Sequence, residues 1–249
     1  MDDGTSDIWP VTAERAETGE LRLGGVAVIA LAERFGTPLY IYDERTLRER
    51  ASLVRDAFAA AYPRSRVVYA GKAFLNLSLL RILRDEGLGL DVVSGGELYA
   101  GLRAGTPPAE IAFHGNNKGE DELREAIAAG VGTIVIDNDH EIELLARLSD
   151  GRDAPVTVML RLNPDIDVDT HQKIATGVAD SKFGFPISSG QAERAVAAVL
   201  RHPHLDLAGY HAHIGSQLVD VSSYTETVEA LIDFAAAMRD RHGVVPREL

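Results

Sequence analysis

Val67-Val68-Tyr69-Ala70-Gly71-Lys72, Leu77-Ser78-Leu79-Leu80-Arg81-Ile82-Leu83-Arg84-Asp85-Glu86 and Gly89-Leu90-Asp91-Val92-Val93 follow one another within 27 residues of the chain, 67 to 93, and decide the fold. The first and third runs are short, apolar and rich in valine, as buried strands are. In the middle run Leu77, Leu80, Ile82 and Leu83 recur at three- and four-residue spacing, which predicts a helix. Strand, helix and strand in that order form a βαβ unit, whose strands pair in parallel through a right-handed crossover.

The same alternation extends along the chain. Predicted strands are Leu39–Tyr42, Val67–Lys72, Gly89–Val93, Ile111–His114, Thr133–Ile136, Val156–Leu162 and Leu205–Ile214. Predicted helices are Glu44–Ala61, Leu77–Glu86, Gly96–Ala104, Glu120–Ala129, His140–Leu148, Gln191–Leu200 and Ser223–His242. Ser94-Gly-Gly-Glu97 has the spacing of a capping box, and Gly130 stands where a helix C-cap is expected. From Val67 onward there are six βα units, and Leu39–Tyr42 is expected to lie outside the main sheet. A (β/α) barrel and a doubly wound open sheet both satisfy this repetition.

Composition narrows the functional classes. The 249 residues hold 38 acidic against 25 basic side chains, for a net charge of −13, which argues against a nucleic-acid surface. No run approaches the ~18 apolar residues of a membrane span. The start, Met1-Asp-Asp-Gly-Thr-Ser-Asp7, is acidic, unlike a secretory signal, and a cytoplasmic setting is the default expectation. The absence of cysteine excludes thiolate metal sites and a cysteine nucleophile in this chain, and fits a reducing compartment. Residues 1–19 are polar, contain Pro10, and are expected to be loosely ordered.

Polar residues crowd the C-terminal ends of the predicted strands. They are Lys72, Asp91 with Ser94, His114 with Asn116 and Asn117, Arg161 with Asn163, and His211 with His213. The Asp137-Asn138 end is less distinctive. Catalytic groups of parallel α/β folds gather at that face, and a ring of such ends favours the barrel. Lys72 closes an apolar strand, where desolvation would make its amine a Schiff-base nucleophile; a lysine snorkelling to solvent fits the local sequence as well. His211-Ala-His213 on a strand would put both imidazoles on one face, able to bind zinc or flank a ring-shaped ligand, or to serve as core histidines. Gly215-Ser216 suits a phosphate. Asp165, Asp167 and Asp169 begin like a calcium loop, but Thr170 and Thr176 occupy its glycine and glutamate positions. Gly87-Leu-Gly89 is no dinucleotide fingerprint, since Val92 replaces the last glycine.

Several stretches together resemble the diaminopimelate decarboxylase family, fold-type III pyridoxal-phosphate enzymes. They are Phe35-Gly-Thr-Pro-Leu-Tyr-Ile-Tyr-Asp43, Tyr69-Ala-Gly-Lys-Ala-Phe74, Asp91-Val-Val-Ser-Gly-Gly-Glu-Leu98 and His114-Gly-Asn-Asn-Lys118. Arg161-Leu-Asn-Pro-Asp165, Thr170-His171, Thr176-Gly177, Lys182-Phe-Gly184 and His213-Ile-Gly-Ser-Gln217 continue the series in family order. The Thr-His and Thr-Gly pairs and His-Ile-Gly-Ser-Gln look more like diaminopimelate decarboxylases than like ornithine or arginine decarboxylases.

The resemblance implies an α/β chain with an alanine racemase-like (β/α)8 TIM barrel. Here the barrel is expected to be truncated after about six βα units, with residues 1–25 as an extension, 26–249 as the barrel domain and the C-terminal β domain absent. Pyridoxal 5'-phosphate is the implied cofactor. Lys72 matches the lysine that holds it as a Schiff base, His213 the histidine stacked on its ring, and Ser216 a phosphate-contacting serine. Asp91 and Arg161 match polar residues that shape the cofactor pocket, while His211 has no firm counterpart. The implied reaction is decarboxylation of meso-2,6-diaminopimelate to L-lysine and CO₂, with a small amino acid as partner, no nucleic acid or membrane, and a homodimer in the complete enzyme. The family continues beyond this chain's last helix with a glycine-rich phosphate loop, a Glu-Pro-Gly-Arg segment and the β domain, so a fragment without activity of its own is expected. Alternatives are a decarboxylase of another basic amino acid, a non-catalytic pyridoxal-phosphate-binding barrel, and a metal-dependent barrel hydrolase.

Overall fold

A computed structural model describes residues 8–166, 183–216, 218 and 221–249. The described residues fall into two units, one within Met1–Tyr69 and Asn76–Gly89, the other within Ala70–Leu75 and Leu90–Leu249.

The first unit opens with an antiparallel sheet of β1 (Glu14–Arg15), β2 (Leu21–Leu23) and β3 (Val26–Ala27). Gly24 and Gly25 join β2 to β3 at φ 57° and 77°, the two left-handed residues that a tight hairpin requires. Regular structure therefore begins by Glu14, within the N-terminal stretch. Helices α1 (Val28–Phe35) and α2 (Glu44–Ala61) follow. Asp43 caps α2 by accepting a hydrogen bond from Thr46 N at 2.8 Å. Between them Leu39–Tyr42 forms no strand, which corrects the predicted strand. Tyr40 is 87% exposed, so its β propensity has no neighbour to pack on. The chain then enters β4 (Val68–Ala70) and, after a short turn, α3 (Leu77–Asp85), capped by Asn76. Leu79 and Leu83 pack with Ala51 and Leu88, and Val67 and Tyr69 cover that cluster.

The second unit carries the repeated pattern. Its elements are β5 (Gly89–Val92), α4 (Gly95–Ala104), β6 (Ile111–Phe113), α5 (Glu120–Ala129), β7 (Thr133–Ile136) and α6 (Asp139–Ser149). They continue with β8 (Val156–Asn163), β9 (Phe185–Pro186), α7 (Gln191–Leu200), β10 (Leu205–His211) and α8 (Ser222–His242). Strands β4 and β5 begin in the first unit and run into the second. The sheet order is β4-β5-β6-β7-β8-β10, with short β9 beside β8, and neighbours from β5 to β10 pair in parallel. That order never reverses, whereas a doubly wound sheet must turn back at a switch point, so the sheet is a (β/α) barrel wall. After α8, Arg247 N donates to Ala208 O at 2.7 Å and Glu248 forms a parallel bridge with Gly209 at the free side of β10. Any side chain at position 209 would overlap the Glu248 carbonyl, which is why glycine stands there.

Strands β7 and β8 are buried on both faces, as helices on a parallel sheet require; all of β7 is buried, whereas β4 is not. Gly130 closes α5 at φ 75°, as expected of a left-handed C-cap. Ser94 caps α4, but Glu97 departs from the reciprocal box. Its Oε2 accepts from Val93 N at 2.8 Å, tying the helix start to the end of β5. No helix among the described residues is long and apolar enough to cross a membrane.

Candidate active site

A cavity of about 300 Å³ opens in the second unit where the strands end, the size of a small-molecule pocket. Lys72 enters it from a 3-10 turn, Gly71–Ala73, that follows β4. The strand ends at Ala70, earlier than expected, and Lys72 is exposed instead of desolvated. Gly71 allows the turn to lie against β5, for a Cβ there would stand 3.0 Å from Asp91 O and 3.2 Å from Glu97 Oε2.

Facing Lys72 is His213, with Nε2 3.3 Å from Nζ. β10 ends at His211, so His213 reaches the cavity from the loop and the expected one-face pairing on a strand does not hold. Burial first, then the positive charges of Lys72 and Arg161, push the His213 imidazole down to about 4. Its ring is therefore neutral at pH 7, and Nε2 accepts from the Lys72 ammonium. After Gly215, at φ 145°, exposed Ser216 of the same loop also lines the cavity.

The opposite wall is Arg161, a charge inside the apolar run of β8 with its side chain only 6% exposed. Its Nη1 donates to Asp137 Oδ1 at 2.9 Å, and Gly184 N donates to Asp137 Oδ2 at 3.2 Å. The guanidinium lies 4.7 Å from the centre of the Phe183 ring, so charge and ring support each other. Asp137, at the strand end dismissed as less distinctive, is thus what holds Arg161 in place. A detectable signal was present in the sequence, because a buried arginine demands a carboxylate.

Asp91 does not line the cavity. Its Oδ1 stands 3.3 Å from His114 Nδ1, and His114 does line it. The His114 and His211 rings are 5.0 Å apart, tilted by 54°. His114 Nε2 and His211 Nδ1 are covered and lack a hydrogen-bond partner among the described residues. Burial, then the charges around it, hold His211 well below the ordinary histidine range. Lys72, Arg161, His213 and Ser216 therefore meet in one cavity, with Asp91 and His211 in the layer behind it. Thr170, His171, Thr176, Gly177, Lys182 and Gln217 lie outside the described residues, as do Asp167 and Asp169.

The neutral imidazoles make stability depend on pH. Between about 6.5 and 4 the unfolded chain binds a proton at His213 that the folded chain refuses. Stability is expected to be full above that window and to fall as pH drops through it. Urea midpoints at pH 7 and pH 5 check this: His213→Gln should shrink the difference, and an unchanged difference would refute the assignment.

A family model described as pyridoxal-dependent decarboxylase, pyridoxal binding domain, matches residues 45–249. The chain belongs to the pyridoxal-dependent decarboxylases. Among curated relatives of this pyridoxal-binding domain, the diaminopimelate decarboxylase of Bacillus subtilis (strain 168) is 43% identical over 96% of this chain and 54% of its own length. That of Synechocystis sp. (strain ATCC 27184 / PCC 6803 / Kazusa) is 46% identical over 92% of this chain and 50% of its own. The chain thus spans about half the length of the curated relatives it matches. The crystal structure of diaminopimelate decarboxylase from M. jannaschii in complex with L-lysine superposes with a TM-score of 0.85 at 33% identity, covering 95% of this chain and 55% of that one. The lysine/ornithine decarboxylase of Vibrio vulnificus, complexed with putrescine, shares the fold at a TM-score of 0.67 and 23% identity, over 88% of this chain and 53% of that one.

Proposed function

We propose that this decarboxylase domain holds pyridoxal 5'-phosphate on Lys72 and serves the decarboxylation of meso-2,6-diaminopimelate to L-lysine and CO₂. One observation carries the reading: the Lys72 amine stands 3.3 Å from a neutral imidazole in a cavity also walled by Arg161 and Ser216. The donor set fits the cofactor. Lys72 offers an amine to its carbonyl, His213 an uncharged ring face, and Ser216 beside Gly215 a hydroxyl to its phosphate. The unpartnered His114 Nε2 and His211 Nδ1 beside this cavity are polar atoms that a polar ligand would satisfy.

When bound, pyridoxal phosphate supplies an electron sink for the pair left behind by the departing carboxylate. The protein's share is orientation and charge. Arg161, clamped by Asp137, and Lys72 put cationic groups at the cavity, which suits a substrate carboxylate or the cofactor's phosphate despite the net charge of −13. Lys72 Nζ beside His213 Nε2 would be the group placed to carry a proton to or from the substrate. The cytoplasmic homodimer implied by the family resemblance belongs to the same proposal.

Pyridoxal phosphate added to the purified protein should give the visible absorbance of a lysine-bound cofactor, and borohydride reduction should fix it to the peptide carrying Lys72. In a full-length protein carrying this domain, labelled diaminopimelate should release CO₂ in preference to lysine, ornithine or arginine. Cofactor capture without CO₂ from any of them would make the chain a carrier; no capture would sink the proposal.

A further inference from the structure

Behind the cavity wall lies an ion pair that the proposed chemistry does not use. Lys118 and Glu141 are 0% and 2% exposed, with Nζ 3.0 Å from Oε2. A buried pair of this kind commonly stabilises no more than apolar residues of its size would, so its geometry is the more informative property. The three N–H donors of Lys118 meet three acceptors: Glu141, Gly115 O at 2.6 Å and Val135 O at 2.8 Å. Glu141 Oε2 also accepts from the backbone N of Asp137 at 2.8 Å. Asp137 in turn holds Arg161 at 2.9 Å and Gly184 N at 3.2 Å. A continuous chain of charge-assisted bonds therefore runs Lys118, Glu141, Asp137, Arg161, a cation at each end and two carboxylates between, joined through the Asp137 backbone N–H, with net charge zero. It starts in the loop after β6, passes the start of α6 and the end of β7, and finishes in the cavity on β8.

We propose that Lys118 and Glu141 are positioning residues of the pyridoxal site, acting through Asp137 to set Arg161 against the cofactor. The inference rests on the proposed function. Each link is short and buried, and none can move without leaving a buried charge or N–H unpaired. Glu141 grips the backbone of Asp137 while the Asp137 side chain grips Arg161, so rotation of one is passed to the other. Gly115, a wall residue at φ 116°, is held from behind by the same Lys118 ammonium. A pair that merely closed the fold would need none of these links to reach the cavity.

The test is a cofactor titration on the full chain, read by absorbance and kept separate from turnover. The variant Lys118→Met/Glu141→Gln removes both charges together and leaves neither one buried alone. It should raise the Kd for pyridoxal phosphate by roughly tenfold, the size of coupling expected in one network. Arg161→Lys should also weaken binding, and adding the double change to it should cost little more. A folded double variant with a Kd within about twofold of wild type would overturn the proposal, as would full additivity with Arg161→Lys. Where the double variant does not fold, Glu141→Asp, which draws the carboxylate back from Asp137 N, is judged by the same two readouts. A wild-type chain that takes up no cofactor would instead overturn the function beneath it.

Discussion

Lys72→Ala is expected to abolish lysine-linked cofactor absorbance and borohydride trapping outright. CO₂ release in the protein that carries it should fall on the order of 10⁴- to 10⁶-fold, as when a member of a catalytic unit is removed. The expectation follows from position and chemistry together. Lys72 is exposed on a short turn, its Nζ faces the Nε2 of His213, and it borders the same cavity as Arg161 and Ser216. An exposed side chain with few packing contacts can be cut back at little cost, so the urea midpoint should stay within about 0.5 kcal/mol of wild type. Loss of capture with stability kept would therefore report chemistry. Lys72→Arg separates charge from nucleophile, since a guanidinium keeps the positive charge but does not form the imine. It should fail as completely as alanine. Retained absorbance in either variant would place the covalent site elsewhere.

The second large effect is on stability. Asp137→Ala should destabilise the folded chain by about 3–5 kcal/mol, because it strands a buried guanidinium without its counter-charge. The Arg161 and Asp137 side chains are 6% and 2% exposed, so water offers little replacement. Gly184 N loses its acceptor in the same step. Against a typical stability of about 5–15 kcal/mol this is a substantial fraction. Asp137→Asn, which keeps an acceptor but not the charge, should fall between alanine and wild type. Asp137→Leu combined with Arg161→Met should recover much of the loss, since a matched apolar pair avoids the stranded charge. Such a variant would be folded yet poor at holding the cofactor. Urea unfolding measures all three, and a cost below about 1 kcal/mol for Asp137→Ala would show that Arg161 finds another partner.

Much of the molecule is legible from local pattern. Periodicity alone places β7 at Thr133–Ile136 and the helices Glu44–Ala61, Glu120–Ala129 and Gln191–Leu200 where the structure has them. It misses α1 and the hairpin of β2 and β3, whose two-residue glycine turn is a recognisable signal. It overreads Leu39–Tyr42, where β-forming residues find no strand to pair with. Strand ends are the weak point. Lys72 and His213 both lie beyond their strands, since hydrogen-bonded pairing stops where the neighbouring strand stops and not where apolar residues do.

From the sequence by itself came the strand–helix alternation, the helix caps, and the residue types able to hold a pyridoxal cofactor. These depend on periods of two and 3.6 residues and on side chains within a turn of one another, so they are written locally. Tertiary structure decided which of those residues meet. The one-way strand order sets a barrel wall in place of a doubly wound sheet. It brings Asp137 to Arg161 across 24 residues and Lys72 to His213 across 141. Nothing in the local sequence around Lys118 and Glu141 marks them as buried, yet the fold covers both and links them to Asp137. Burial and partnership belong to neighbouring strands and the loops between them. The alignment of strand ends in three dimensions therefore determines which charges are covered, which are paired, and which face the cavity.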